Sequence, residues 1–110
     1  MRSTYARALP RPWQPVARVF TALGDAHRQR ILLMFEPDER LTIGAIVAAS
    51  TLSRTAVAHH LRVLREAGVL KPEKIGREVW YRPDPAPVRA ALDAVEDYLR
   101  RHHQPRSASR

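Results

Sequence analysis

The sequence predicts a small, mostly α-helical domain with one β-hairpin. Residues 42–67 show two helical apolar repeats joined by a short polar turn, and residues 69–82 change to an extended pattern around Gly76. The chain has 110 residues and no cysteine, and no apolar run is as long as a membrane span. We therefore expect one globular domain without disulfides or thiolate metal sites, and no membrane partner.

Two helices are predicted before this central region. Pro15 suits the first turn of a helix, and the apolar residues that follow share one helical face: Val16, Val19, Phe20 and Leu23. A second helix is predicted after Gly24, with Asp25 as its N-cap, and it should extend to about Phe35. His27 is interpreted as an exposed or capping residue.

The central pair of helices has clear signals at its boundaries. Thr42 is a suitable N-cap for the first helix and Ser53 for the second, and Gly68 suits a helix C-terminus. The second helix, predicted over residues 53–67, has a core face made of Val57, Leu61 and Leu64. Its other face carries short and basic residues: Arg54, Thr55, Ala58, His59, Arg62 and Arg65. His60 lies nearer the buried side and is interpreted as a packing or capping residue.

The charge distribution points to a polyanionic partner. The net charge is +8, and residues 40–82 contain eight basic and three acidic side chains. Charge alone does not separate DNA from RNA or anionic lipid, and a basic helix face is also compatible with simple solvation. The major groove of DNA, however, admits an α-helix between walls of phosphate. The pair of helices therefore favours a DNA-reading helix-turn-helix.

The extended pattern after Gly68 predicts a β-hairpin with strands over residues 69–75 and 78–82. Lys74 and Arg77 lie at or beside its tip, where they would meet phosphate or the minor groove. Pro72 cannot donate a ladder hydrogen bond, so its strand must be an edge strand or be bulged.

A final helix is predicted after Asp84 and Pro85. Its apolar stripe consists of Val88, Leu92, Val95 and Leu99, with Ala91 and Tyr98 beside it. The stripe could pack within the monomer or on a second chain. Residues 1–13 are interpreted as a flexible N-terminal arm, residues 14–99 as the domain and residues 100–110 as a basic C-terminal tail.

Three segments together resemble the ArsR/SmtB family of bacterial regulators. They are FTALGDAHRQRIL (20–32), LTIGAIVAASTLSRTAVAHHLRVLREAGVL (41–70) and KIGREVWY (74–81). The resemblance implies a winged helix-turn-helix with about five helices and a wing, in the branch without cysteine metal sites. It also implies a homodimeric repressor that reads an inverted repeat in double-stranded DNA, with helix 53–67 in the major groove and wing 69–82 on the backbone or minor groove.

The resemblance also implies roles for individual residues. The positions that would face base edges are Arg54, Thr55, Ala58 and His59. The positions that would contact phosphate are Arg62, Lys74 and Arg77. The dimer would form through the first and last helices, with contacts from Val16, Val19, Phe20, Val88, Leu92, Val95 and Leu99.

Other functions compete with this interpretation. RNA-binding or protein-interaction winged helices share the fold. A metal-responsive repressor would need ligands from the last helix, where the sequence offers Asp93, Glu96, Asp97, His102 and His103. No catalytic motif accompanies Ser53, which is better used as a cap, so we expect no enzyme and no cofactor. We expect a cytoplasmic, nucleoid-associated bacterial protein that answers to an unidentified small-molecule or protein effector.

Overall fold

The computed structural model describes residue 5 and residues 7–103, and it is built from five α-helices and a small antiparallel sheet. A short 3-10 helix precedes the first α-helix. The elements in chain order are the 3-10 helix Arg11–Trp13, α1 Gln14–Leu23, α2 Ala26–Leu32, β1 Leu41–Thr42, α3 Ile43–Ala49, α4 Arg54–Glu66, β2 Leu70–Ile75, β3 Glu78–Pro83 and α5 Ala86–His102. The predicted fold class, mostly helical with a β-hairpin, is confirmed.

The sheet has the strand order β1-β3-β2. The predicted hairpin is β2 and β3, which are joined by the two-residue turn Gly76-Arg77. Gly76 has φ +64°, the left-handed backbone that a tight hairpin turn of this kind requires at its first position. Pro72 lies on β2, an edge strand, as its missing N–H predicts.

The third strand, β1, was not predicted. It is only two residues long and pairs Leu41 with Tyr81 and Thr42 with Trp80. Such a short strand has no periodicity of its own, because it exists through its pairing with β3. Its position matters for the interface, since Thr42 also begins α3 and so joins the hairpin to the helix pair.

The main core lies under α4. It is formed by the buried residues Ala22, Ile31, Ile46, Val57, Leu61, Leu64, Val69 and Leu70. A second, smaller cluster consists of Val16, Val19 and Ala91, and it packs α1 against α5 within the chain. The apolar face predicted for α4 is therefore confirmed as the face that fixes this helix to the body of the domain.

Two helix boundaries differ from the predictions. Helix α2 ends at Leu32 rather than near Phe35, because the amides of Met34 and Phe35 bond to carbonyls three residues back and tighten the chain into turns. Helix α5 continues to His102, beyond Leu99, and so includes the first residues of the predicted tail. Ion pairs four residues apart, Glu96 with Arg100 and Asp97 with Arg101, support this last turn.

Candidate nucleic-acid interface

The turn between α3 and α4 is held by local hydrogen bonds from short polar side chains. Ser53 Oγ accepts from the amide of Ala56 at 3.1 Å, which caps α4. Ser50 Oγ accepts from the amide of Leu52 at 3.2 Å. Thr42 Oγ1 accepts from the amide of Ala45 at 3.1 Å and caps α3. Both predicted N-caps are confirmed, and the start of α4 is fixed relative to α3.

Helix α4 presents its basic face to solvent. Val57, Leu61 and Leu64 are at most 2% exposed and hold the opposite face to the core. Of the positions predicted to meet bases or phosphate on this helix, the exposed ones are Arg54, Thr55, His59 and Arg62, and Ala58 is half-buried. This face of α4 is therefore open to solvent in the described chain.

The basic side chains predicted to contact DNA, on α4 and on the hairpin, have no acidic partner in the described part of the chain. Within residues 7–103, Arg54, Arg62, Lys74 and Arg77 form no ion pair closer than 4.0 Å, whereas other basic side chains such as Lys71 and Arg40 do. An unpaired surface cation keeps its full charge available for phosphate, since no carboxylate must be displaced first.

The structure brings the hairpin beside the N-terminus of α4. One cleft of about 400 Å³ lies between them. It is lined by Arg54, Arg77, Thr42, Ile43, Gly44, Glu78 and Val79. Lys74 is also exposed on the hairpin but does not line this cleft. Arg54, a predicted base contact, therefore lies in the same cleft as Arg77, a predicted phosphate contact.

A polar network that the sequence did not predict lies behind α4. Arg28 is only 9% exposed. Its Nε donates to the carbonyl of Ala22 at 2.8 Å, and its Nη2 donates to the carbonyl of Thr21 at 3.0 Å. Its Nη1 lies 3.2 Å from Nδ1 of His60. His60, interpreted from sequence as a packing or capping residue, is half-buried and takes part in a specific polar contact.

Two ionisable groups in this network have lowered pKa values. Burial lowers the pKa of the His60 imidazole, and the nearby Arg28 guanidinium lowers it further, although the Asp25 carboxylate opposes both. Burial alone would raise the pKa of Asp25, but hydrogen bonds from the amides of Arg28 and His27 outweigh it, and the pKa falls below its ordinary value. The network therefore favours a neutral His60 beside a charged Asp25.

The residues predicted for a dimer interface fall into two groups. Val16 and Val19 are 8% and 2% exposed and pack against Ala91 of the same chain. Val88 and Val95 are half-buried. Phe20, Leu92 and Leu99 are 41%, 53% and 47% exposed, and they form an apolar stripe on α1 and α5 that the described part of the chain leaves uncovered.

The acidic and imidazole side chains of α5 do not converge. Tyr98 packs its ring against His102 and His103, with centroid distances of 4.5 and 5.7 Å. Asp97 and Glu96 are paired with arginines. In the part of the chain that the structure describes, no group of three potential metal ligands lies close together. The same residues also include no helix that is long and apolar enough to cross a membrane.

Comparison with known proteins agrees with this geometry. A family model described as a helix-turn-helix domain matches residues 23–73. Over 88 residues the chain is 32% identical to the arsenic resistance transcriptional regulator ArsR1 of Pseudomonas putida, covering 74% of this chain and 69% of that protein. Over 68 residues it is 37% identical to the transcriptional repressor SmtB homolog of Synechocystis sp., but it spans only 51% of that protein.

Solved structures show the same architecture. An ArsR-like transcriptional regulator from Rhodococcus sp. RHA1 matches with a TM-score of 0.71 and 29% identity, covering 81% of this chain and 87% of that one. The chain therefore belongs to the ArsR/SmtB family of winged helix-turn-helix proteins, a family of transcriptional regulators and not of enzymes.

Proposed function

We propose that this protein is a homodimeric transcriptional repressor that binds an inverted repeat in double-stranded DNA. The observation that carries the proposal is the basic face of α4, which is exposed and free of acidic partners within the described residues. The family membership supports it, as do one relative named as a transcriptional repressor and another named as a transcriptional regulator. We place the protein in the bacterial cytoplasm, at the nucleoid, where its operator would be.

In this proposal α4 is the recognition helix and lies in the major groove. Arg54 would donate two hydrogen bonds to guanine O6 and N7, and Thr55 would contact a base through its hydroxyl or methyl group. Ala58 offers only apolar contact, whereas His59 can donate to a base or phosphate. Arg62, Lys74 and Arg77 would contact phosphates, which position the protein without specifying sequence.

The exposed apolar stripe on α1 and α5 supports a dimer. Phe20, Leu92 and Leu99 remain exposed after the domain has folded, and large apolar side chains grouped on one surface are typical of protein interfaces. A two-fold axis through this stripe would set two α4 helices about 34 Å apart, one turn of DNA. Val16 and Val19 would support the stripe from beneath rather than touch the partner.

The proposal also covers the roles of the chain segments and the release of the repressor from DNA. We assign the DNA-binding and dimerisation functions to residues 14–99 and a supporting electrostatic role to the basic segments on either side. An unidentified small molecule or protein would release the repressor by changing the angle between subunits.

Binding titrations test this function directly. The fluorescence anisotropy of a labelled duplex from the region upstream of the protein's own gene is measured, with a random duplex of equal length and a single-stranded RNA as comparisons. We expect the upstream duplex to bind at least about 10³-fold more tightly than random duplex. Equal affinity for all three would contradict the proposal, and preference for the RNA would favour an RNA-binding winged helix. Sedimentation of the same sample should show a dimer.

A further inference from the structure

Arg28 links two parts of the molecule that the proposed function uses separately. It is the buried charged residue of the described chain. Two of its donors hold the carbonyls of Thr21 and Ala22 in the last turn of α1, and a third reaches His60 on α4. Helix α1 also carries Phe20 of the exposed apolar stripe. A single side chain therefore connects the helix beside the proposed dimer surface to the helix proposed to read DNA.

The hydrogen bond between Arg28 and His60 can have only one direction. A guanidinium has donors only, so Nδ1 of His60 must be the acceptor across the 3.2 Å contact. The imidazole is then neutral, with its proton on Nε2. Adding a second proton would place an N–H on Nδ1 against the N–H of Arg28, and the contact would be lost. The lowered pKa of His60 agrees with this assignment.

Loss of this contact would destabilise the guanidinium of Arg28, because that group is largely buried. Arg28 is compensated by the carboxylate of Asp25, whose Oδ2 lies 4.0 Å from Nη1. Without His60 as acceptor, one N–H of the guanidinium would lack a partner in a largely buried site, which is unfavourable for a charged group. The side chain would therefore shift towards another acceptor or water, and its hold on α4 would be released.

The position of His60 on α4 makes its contact a restraint on rotation. The next residue, Leu61, is buried in the core, and the preceding residue, His59, is exposed on the proposed DNA face. Val57, Leu61 and Leu64 hold α4 to the core by close packing. The contact from Arg28 adds a directional hydrogen bond to that restraint, at a different position on the helix.

We propose that Arg28 is a positioning residue for DNA binding, which fixes the rotation and tilt of α4 relative to α1 by donating to Nδ1 of His60 while it holds the last carbonyls of α1. The proposal rests on the proposed function for its effect on DNA, but not for its effect on helix orientation. It predicts that a neutral acceptor at the position of His60 Nδ1 is required for sequence-specific binding.

Two substitutions of His60 separate this role from general stability. In His60→Asn the amide oxygen can take the place of Nδ1 and cannot be protonated, whereas His60→Ala removes the acceptor. We expect His60→Asn to keep the ratio of specific to random DNA affinity. We expect His60→Ala to lower that ratio about tenfold, the size expected when a hydrogen bond to a charged group is lost. Circular dichroism verifies that both variants are folded.

The pH profile gives a readout that a purely structural role would not produce. The ionisable groups facing His60 are Asp25, Arg28 and His27 from α2 and its N-cap, and His59 on α4 itself. The profile of the unmodified protein is therefore compared with that of His60→Asn, since both proteins keep His27 and His59. As the pH falls through the pKa of His60, which lies below the ordinary imidazole value of about 6.5, the specificity ratio should fall when His60 is present and stay constant with His60→Asn.

Helix orientation is measured without DNA by residual dipolar couplings of the backbone amides. The couplings of α4 relative to those of α1 should change in His60→Ala and remain as in the unmodified protein in His60→Asn. An unchanged orientation in a folded His60→Ala variant would overturn the proposal, whatever the protein binds. If the orientation changes as expected but the unmodified protein shows no preference among duplexes, the proposed function fails and the positioning role of Arg28 stands.

Discussion

Replacing Arg77 by alanine tests the assignment of the hairpin to the DNA backbone. Arg77 occupies the turn of the hairpin, is exposed and lines the cleft that also contains Arg54. A cation that neutralises a phosphate releases a condensed counterion, so its contribution is read from the salt dependence of binding rather than from affinity at one condition. The variant should therefore bind every duplex more weakly and respond less steeply to salt.

The expected slope follows from the number of assigned contacts. Arg62, Lys74 and Arg77 are exposed in each subunit, so a dimer would place six such cations on phosphate. Because each neutralised phosphate contributes about −0.9 to the slope of log K against log salt, the six contacts of the unmodified dimer should give a slope of about −5.4. Arg77→Ala removes two contacts, and the slope should become about −3.6. Random and operator duplexes should show the same change.

The assay is an anisotropy titration at several salt concentrations, with Arg89→Ala as the matched control. Arg89 is exposed on α5 and does not line the cleft that contains Arg54 and Arg77, and its removal changes the net charge equally. Arg54→Ala provides the contrast, since loss of a bidentate guanine contact should cost about 1–3 kcal/mol on operator DNA alone. A slope for Arg77→Ala equal to that of Arg89→Ala would refute the backbone assignment. Equal losses on operator and random DNA for Arg54→Ala would place Arg54 on phosphate, beside Arg77.

Three further predictions concern the dimer and the local structure. Leu92→Glu should give a folded monomer in sedimentation. Leu92 is 53% exposed in the single chain, so the charge of the new glutamate would be buried only if the dimer formed. A stable dimer of this variant would show that Leu92 does not lie in the dimer interface. Ser53→Ala should lower the free energy of unfolding by about 1 kcal/mol in urea titrations, because the cap on Ala56 is lost; no change would mean that water replaces the cap. Gly68→Ala should lower the free energy of unfolding more than Gly76→Ala. Both glycines have a left-handed backbone, which costs an alanine about 1–2 kcal/mol, but only at Gly68 would the new methyl group meet a neighbour, Pro87 Cγ at 3.2 Å. Equal losses in the same urea titrations would show that Pro87 moves away.

Much of the fold could be predicted because its signals are local. Ser53 and Thr42 cap helices through hydrogen bonds to amides three residues ahead, so each signal and its effect lie within one turn. The hairpin turn is likewise signalled by a glycine between two extended segments. The strand β1 could not be predicted in this way, since Thr42 becomes part of a strand only by pairing with Trp80, far along the chain.

The apolar periodicity of α1 shows why the interface was harder to define than the fold. Val16, Val19 and Phe20 follow one helical repeat, so the sequence assigns them to a single face. In the structure Val16 and Val19 meet Ala91 of the same chain, and Phe20 remains exposed. A repeat indicates which side of a helix is apolar but not whether its neighbour is the same chain or a second one. The proposed dimer surface is consequently narrower than the sequence indicated.

The network around Arg28 was beyond sequence reasoning for a different reason. Arginine is almost never buried unless it is paired, so no pattern-based rule places one inside a domain. Here burial is sustained by two carbonyls of α1, the carboxylate of Asp25 and Nδ1 of His60, which lies 32 residues away in the chain. None of these partners is informative alone, because each has an ordinary local explanation as a helix end, a cap or a packing residue. Their convergence on one guanidinium is the observation from which we propose that protonation of His60 would change the orientation of α4.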